Sequence, residues 1–251
     1  MNGDGAVLAL RLPDSARVDR RVPKTLLLEH GAPTAADKRR INEGIEQLRW
    51  VAVLKPSTIG VAAYQDAERE YLEIAVLRMM LRPAAEAARL VELLHRAVPY
   101  PVVAVCEQDS RATVSLAHKR WSLGEGGKTV LDGDVVAVDP EAAGDAIRDE
   151  FLSALALDRQ PRGSLFALYE GWVEVLFAFQ AAGRTHSFVM PGGVDRRAAR
   201  REALCECDRL EAEIDRLRTA AVKEKQIPRQ VELNLEIKRL EATRAAAIAK
   251  L

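Results

Sequence analysis

The sequence is short of the groups that usually mark chemistry. It has three cysteines, Cys106, Cys205 and Cys207, in 251 residues. An odd number, with two of them one residue apart, makes no disulfide framework. The expectation is a reduced, cytoplasmic protein. Cys205 and Cys207 fall on a helical stretch, where residues two apart face different sides, so no zinc pair is expected there. The four histidines, His30, His95, His118 and His186, lie far apart, and none has a second ligand at helix or strand spacing. No metal and no cofactor are expected. Charge of either sign is not in excess: 37 Lys plus Arg balance 37 Asp plus Glu. That balance argues against a protein that coats nucleic acid through bulk charge and leaves only local basic patches to consider. No unbroken apolar run reaches about 18 residues, so no membrane helix is expected. The opening Met1-Asn-Gly-Asp-Gly lacks the basic-then-apolar pattern of an export signal. A phosphate-cradling loop is also missing. Gly124-Glu-Gly-Gly127-Lys128-Thr129 ends like one, but position 122 is Ser and the residues that follow pattern as a strand, so the segment reads as a flexible hairpin loop. Neither a Gly-x-Ser-x-Gly elbow nor a Cys with a nearby base occurs.

What is present is a foldable chain. With 48% apolar and 29% charged residues it can bury a full core and is not disordered. The length suits one large domain, or a domain with a helical appendage. Ala6–Leu12 has strand-like composition and ends at Pro13. Thr25–Leu28 is a second short apolar run. Thr34 is a good helix N-cap, with Asp37 three residues on, and Ile41, Ile45 and Leu48 recur at helical spacing, so 35–48 reads as an amphipathic helix. Trp50–Leu54, Thr58–Tyr64 and Tyr71–Leu81 read as three successive strands. Ala84–Ala97 is a helix and Val102–Val105 a buried strand. Arg111–Leu123 alternates and pairs with it across Asp109-Ser110, placing Ser115 and Lys119 on one strand face. Lys128–Val138 is two short runs broken by Asp132-Gly133, a turn dipeptide. Helical periodicity then takes over: Ala143–Leu157, and Leu165–Ala182 capped by Ser164. Pro191-Gly192-Gly193 is the clearest boundary in the chain.

The tail carries the strongest pattern. Cys207, Leu210, Ile214, Leu217 and Ala221 step by three and four, the seam of a coiled coil. Pro228 starts a second helix, along which Leu233, Ile237 and Leu240 continue the stepping. Two helices joined near 225–227 make an antiparallel hairpin. Such a seam must be covered, by the main domain, by a second copy or by a partner. The fold class expected is therefore α+β: a mixed sheet with flanking helices over 1–194, then a coiled-coil-like hairpin over 195–251.

The order helix, three strands, helix, strand is that of restriction-endonuclease-like nucleases, which cut phosphodiesters with an Asp on one strand and Glu-x-Lys on the next. Asp66 and Glu73 are suggestively placed, but Ala75 stands where the Lys belongs, so a degenerate, nucleic-acid-binding core is the alternative reading. Basic groups that could serve it are Lys119 and Arg120 beside Trp121, a combination able to grip phosphate and stack a base. Arg196, Arg197, Arg200 and Arg201 cluster at the start of the hairpin. Solvated helix ends and a partly buried Trp are the plainer account of both.

In order along the chain, Val22-Pro23-Lys24, Thr34-Ala-Ala-Asp37-Lys38, Trp50, Leu54-Lys-Pro56-Ser-Thr58-Ile59, Glu73-Ile74-Ala-Val76, Ala117-His-Lys119-Arg120 and Val231-Glu-Leu-Asn234 resemble a bacterial and archaeal family, domain of unknown function 4391. Gly60 departs from it where Asn is usual, and Ile227-Pro228 replaces an aromatic-plus-Asn pair. The resemblance implies no reaction. It implies company with helicases and DNA methyltransferases in restriction or phage-defence assemblies. Joined to the uncovered seam, it leads us to expect a non-catalytic accessory subunit. That subunit would dock partner proteins, or a second copy, through Cys207–Ala221 and the facing residues, with Asn234 as a register-setting polar group.

Overall fold

The computed structural model describes residues 2–251, and within them the chain divides into two compact units, one ending at Leu176 and one starting at Phe177. In chain order the first unit contains α1 (Gly3–Ala9), β1 (Arg17–Arg21), α2 (Thr25–His30), α3 (Ala35–Gly44) and β2 (Ile45–Leu54). Next come α4 (Pro56–Ile59), β3 (Tyr64–Gln65), β4 (Glu70–Tyr71), β5 (Ile74–Leu81) and α5 (Ala87–Ala97). It continues through β6 (Val102–Gln108), β7 (Arg111–Trp121), β8 (Thr129–Val138) and α6 (Asp145–Ala154) to α7 (Leu165–Thr185), whose last turns belong to the second unit. There α8 (Val194–Lys223) and α9 (Ile227–Ile248) follow.

A six-stranded mixed sheet in the order β1-β2-β5-β6-β7-β8 organises the first unit. All neighbours are antiparallel except β5 and β6, which run parallel because α5 carries the chain back between them. These two central strands are buried on both faces, which explains their unbroken apolar runs. Leu77, Met79, Ala104 and Cys106 join one core cluster with Leu27, Ile41, Leu90 and Leu94 from α2, α3 and α5. Val76, Val103 and Val105 are equally buried, and on the alternation rule they face the opposite side of the sheet. On α7, the buried Tyr169 hydroxyl accepts a hydrogen bond from Ala117 N and lies 2.8 Å from the Val102 carbonyl. Burial lifts that phenol's pKa well above its ordinary value. The Trp172 indole donates to the Leu155 carbonyl. Leu165–Thr185 is long and apolar enough to cross a membrane, but 72% of its most apolar window is buried within the protein, as befits a core helix.

The expected mixed α/β class with a helical hairpin is present. Several elements differ from expectation. Ala6–Leu12 is not a strand: Asn2 caps α1, its side chain accepting from Gly5 N, and Ala6 and the C-cap residue Leu10 are buried four residues apart. Ala and Leu are strong helix formers, and one buried face satisfies them. Thr25–Leu28 is likewise helical. Thr34 does cap α3, accepting from Asp37 N, but the helix stops at Gly44 and Ile45 already opens β2. Thr58–Tyr64 is no sheet strand. Pro56 starts a single helical turn and Gly60, at φ +66°, closes it. Gly and Asn are the two residues that enter that left-handed region readily, so Gly60 is compatible with the family's Asn. The third antiparallel strand is instead β1, ahead of α3, so the element order of the nuclease fold is not reproduced over 35–106. Finally, Asp132-Gly133 is a bulge inside one continuous β8. Leu116 pairs with Val136 and His118 with Asp132, so β8 spends two extra residues, and Gly133 takes φ +84°.

Candidate functional site

The helical hairpin is built from the seam outward. Cys207, Leu210, Ile214, Leu217 and Ala221 of α8 are all buried. Ile214 and Leu217 form a core cluster with Ile237, against which Leu233 and Leu240 pack. Around Ile214 and Leu217 the seam is thus filled from the hairpin's own second helix, one of the coverings it could have had. Asn234 is exposed rather than placed at the seam.

Five of the arm's arginines are paired with acids: Arg209 with Glu206, Arg216 with Glu213, Arg218 with Glu241, Arg229 with Glu232 and Arg239 with Glu236. Near the corner the apolar residues turn outward instead. Val222 is 85% exposed, Ile227 74%, Val231 51% and Leu235 53%. The last three are spaced by four, so they stack on one side of α9. No spacing rule marked them, because the seam's three-four stepping assigns them to the polar side.

The basic cluster at the start of α8 is largely engaged. Arg200 is buried and donates to the carbonyls of Val189 and Leu251. The Arg201 guanidinium lies over the Phe177 ring, 5.0 Å from its centroid. Arg197 donates to the Gly193 carbonyl, and Arg196 is exposed.

In the sheet domain, Asp66, Glu73 and Lys119 have separate employment. The Asp66 carboxylate accepts from the Tyr64 hydroxyl and from the backbone N–H groups of Glu68 and Arg69, closing the turn between β3 and β4. Those bonds hold it below the ordinary carboxylate range. Glu73 is half-buried, and its charge, after burial, helps raise the Tyr100 phenol. Lys119 is 1% exposed, and its ammonium donates to the His95 carbonyl. Among the described residues, no group of three or more His, Cys, Asp or Glu could hold a metal ion. Arg120 lies 3.7 Å from Asp132, which also takes Arg69, and donates to the carbonyl of the half-buried Trp121.

The remaining motif residues are structural in placement. Lys24 reaches the Asn42 carbonyl. Pro56 opens α4, and the Thr58 hydroxyl accepts from Lys55 N and reaches the Val53 carbonyl. Trp50 donates to the Ala52 carbonyl.

One polar network escaped the sequence reading. His118 Nδ1 lies 2.7 Å from the Tyr71 hydroxyl, and its Nε2 lies 2.7 Å from a Glu170 carboxylate oxygen. The Phe166 and Tyr169 rings flank the imidazole, with centroids 5.6 and 5.3 Å away. These side chains join β4, β7 and α7. Its members stand far apart in sequence, so no local pattern could have found it.

Residues 10–243 match the family described as Domain of unknown function (DUF4391). The chain belongs to this family. Its match begins in the turn after α1 and ends within α9, so sheet domain and hairpin arm both fall inside the DUF4391 region. No curated protein and no solved structure matches this DUF4391 chain at a significant level.

Proposed function

We propose that this DUF4391 protein is a non-catalytic accessory subunit whose hairpin arm docks an apolar-faced helix of a partner protein. The observation that carries this reading is the outward stripe Ile227, Val231 and Leu235, with exposed Val222 near the same corner, on an arm whose own seam is already filled. A helix-in-groove contact reads residues at this spacing. Ion pairs along the arm neutralise its arginines locally, which favours apolar packing over a grip on phosphates. In a DNA-modifying or phage-defence assembly the partner would be a helicase or methyltransferase subunit.

The test is copurification of the tagged chain with such a subunit, comparing the parent with a Val231→Lys, Leu235→Lys variant. Both side chains are exposed, so the variant should keep its circular dichroism and melting temperature. Loss of the complex in the variant supports the reading. A complex that survives the change, or no complex with either subunit, overturns it. A dimer seen by light scattering and abolished by the same pair of changes would assign the stripe to a second copy instead.

A further inference from the structure

The first unit holds a cavity of about 450 Å³ between α2, the end of α5 and the β7–β8 loop. Its floor is sheet: Leu48 and Trp50 of β2, Ala75 and Leu77 of β5. These stand on the face that α2, α3 and α5 otherwise cover, so the cavity is where the helical layer leaves the sheet open. Trp50 and Tyr100 meet at its wall, with ring centroids 6.0 Å apart and planes tilted by 35°. The walls are thus apolar and aromatic, as in most small-molecule sites.

The mouth has a different character. His30, Arg96 and Lys128 line it, together with the Gly126-Gly127 backbone. The same three side chains border a second, adjoining hollow of about 600 Å³, to which Arg120 adds another guanidinium. Among the described residues Arg96 is paired with the half-buried Glu92 and Lys128 with the exposed Glu125, each three or four residues away along the chain, and both cations are exposed. Exposed pairs of that kind are worth about 0–1 kcal/mol, so either cation can turn to a ligand at small cost. The Thr129 hydroxyl donates to the Pro99 carbonyl and pins the loop against the start of β6. A strand, not a helix, follows the Gly-Gly-Lys-Thr segment, so this is not the phosphate loop of nucleotide-hydrolysing enzymes.

We infer that this cavity binds a small amphiphilic anion: a planar aromatic body against Trp50 and Tyr100, and a carboxylate, sulfonate or phosphate head at Arg96 and Lys128. Apolar walls supply burial, and the cationic mouth sets the sign and orientation of the ligand.

The probe that tests it is anilinonaphthalene sulfonate, with N-phenylnaphthylamine as its neutral counterpart. Fluorescence titration of the full chain should show one sulfonate site, with quenching of tryptophan emission through Trp50. Arg96→Glu with Lys128→Glu should weaken the sulfonate by about tenfold or more, since two attractive charges become repulsive, and should leave the neutral probe within about twofold. Leu26→Trp, which adds an exposed ring at the mouth, should weaken both. If charge reversal leaves the sulfonate affinity unchanged, the anion assignment fails. If Val231→Lys with Leu235→Lys abolishes the signal, the probe sits on the arm and the cavity assignment fails. Arg96 and Lys128 are solvent-exposed, so their reversal remains a valid test even where Leu26→Trp disturbs folding.

Discussion

At the scale of single residues, the interior of the sheet domain holds two titratable groups that burial shifts in the same direction. His95 is wholly buried, its Nε2 lies 3.0 Å from the Ser115 hydroxyl, and burial followed by the Lys119 charge pushes its pKa down to about 3. Lys119 itself is pushed down from 10.5 to about 8 by burial and then by Arg96. A folded-state pKa below the unfolded one means the unfolded chain holds the proton more tightly. For Lys119 the penalty is absent above about pH 10.5, grows as pH falls, and is constant below about 8. Converted, that difference is about 3 kcal/mol. Lys119→Met removes it and leaves the His95 carbonyl short of a donor, which costs about 1 kcal/mol. The variant should therefore be about 1–2 kcal/mol more stable at pH 7, with the gain fading towards pH 10. Denaturant titrations at the two pH values read this directly, and a less stable variant at pH 7 would contradict it. Asp37 behaves in the opposite sense. Hydrogen bonds from Arg89 and Thr34 hold its carboxyl at about 2, so its contribution is complete above the unfolded carboxylate range and is lost as pH falls through about 2. Asp37→Asn should lower the melting temperature at pH 7 and match the parent near pH 2. Lys119 was visible in the sequence as a charge, but only its depth decides what it does. The motif His118-Lys119-Arg120-Trp121 reads as a phosphate grip when its residues are imagined at the surface. The strand instead sends Lys119 inward.

At the scale of elements, caps and turns with side-chain chemistry were legible. Thr34 and Ser164 cap their helices, with Ser164 accepting from Ala167 N. Asp109-Ser110 is the β6–β7 turn, at φ +49° and +65°. Two positive φ values are the signature of a tight hairpin turn that Asn-Gly fits with less strain. Changing Asp109-Ser110 to Asn-Gly should add about 0.5–1 kcal/mol, measurable as a raised denaturation midpoint with unchanged slope. Short apolar runs were not legible, because periodicity alone does not separate a short strand from a buried helical turn. Leu10 and Ala6 belong to a helix, and Ile59 to a single turn closed by Gly60. The hairpin was legible because its stepping persists over many turns. What the pattern could not give was the identity of the partner face, since a seam reads the same whether its own hairpin or another chain fills it. Ile214→Ala should destabilise the arm by about 2–4 kcal/mol, as a buried large-to-small change does. Its helical signal should melt earlier than the parent's.

At the scale of the whole molecule, the equality of 37 basic and 37 acidic residues becomes a statement about arrangement. The two basic patches that could have concentrated positive charge are drawn inward or paired: Lys119 on the His95 carbonyl, Arg120 beside Asp132, Arg200 on two backbone carbonyls, Arg201 over Phe177. On the arm, neighbouring acids answer the arginines turn by turn. Affinity for duplex DNA grows from phosphates neutralised together, and each such contact steepens the salt dependence by about 0.9 in the logarithmic slope. A chain whose two basic clusters are drawn inward or paired should therefore show neither strong binding nor a steep slope. The expected result is no shift of a nonspecific duplex at protein concentrations of about 10 μM in low salt, where proteins built for DNA already bind. Dissociation near 1 μM that weakens steeply with added salt would overturn this and return the sheet domain to the nucleic-acid reading. Arg96, Lys128 and Arg120 around the two adjoining hollows are too few to mimic a groove-binding surface, but they suffice for one anionic head. The same pairing of the two basic clusters that disfavours a polymeric ligand leaves a single small anion the better match for the cavity.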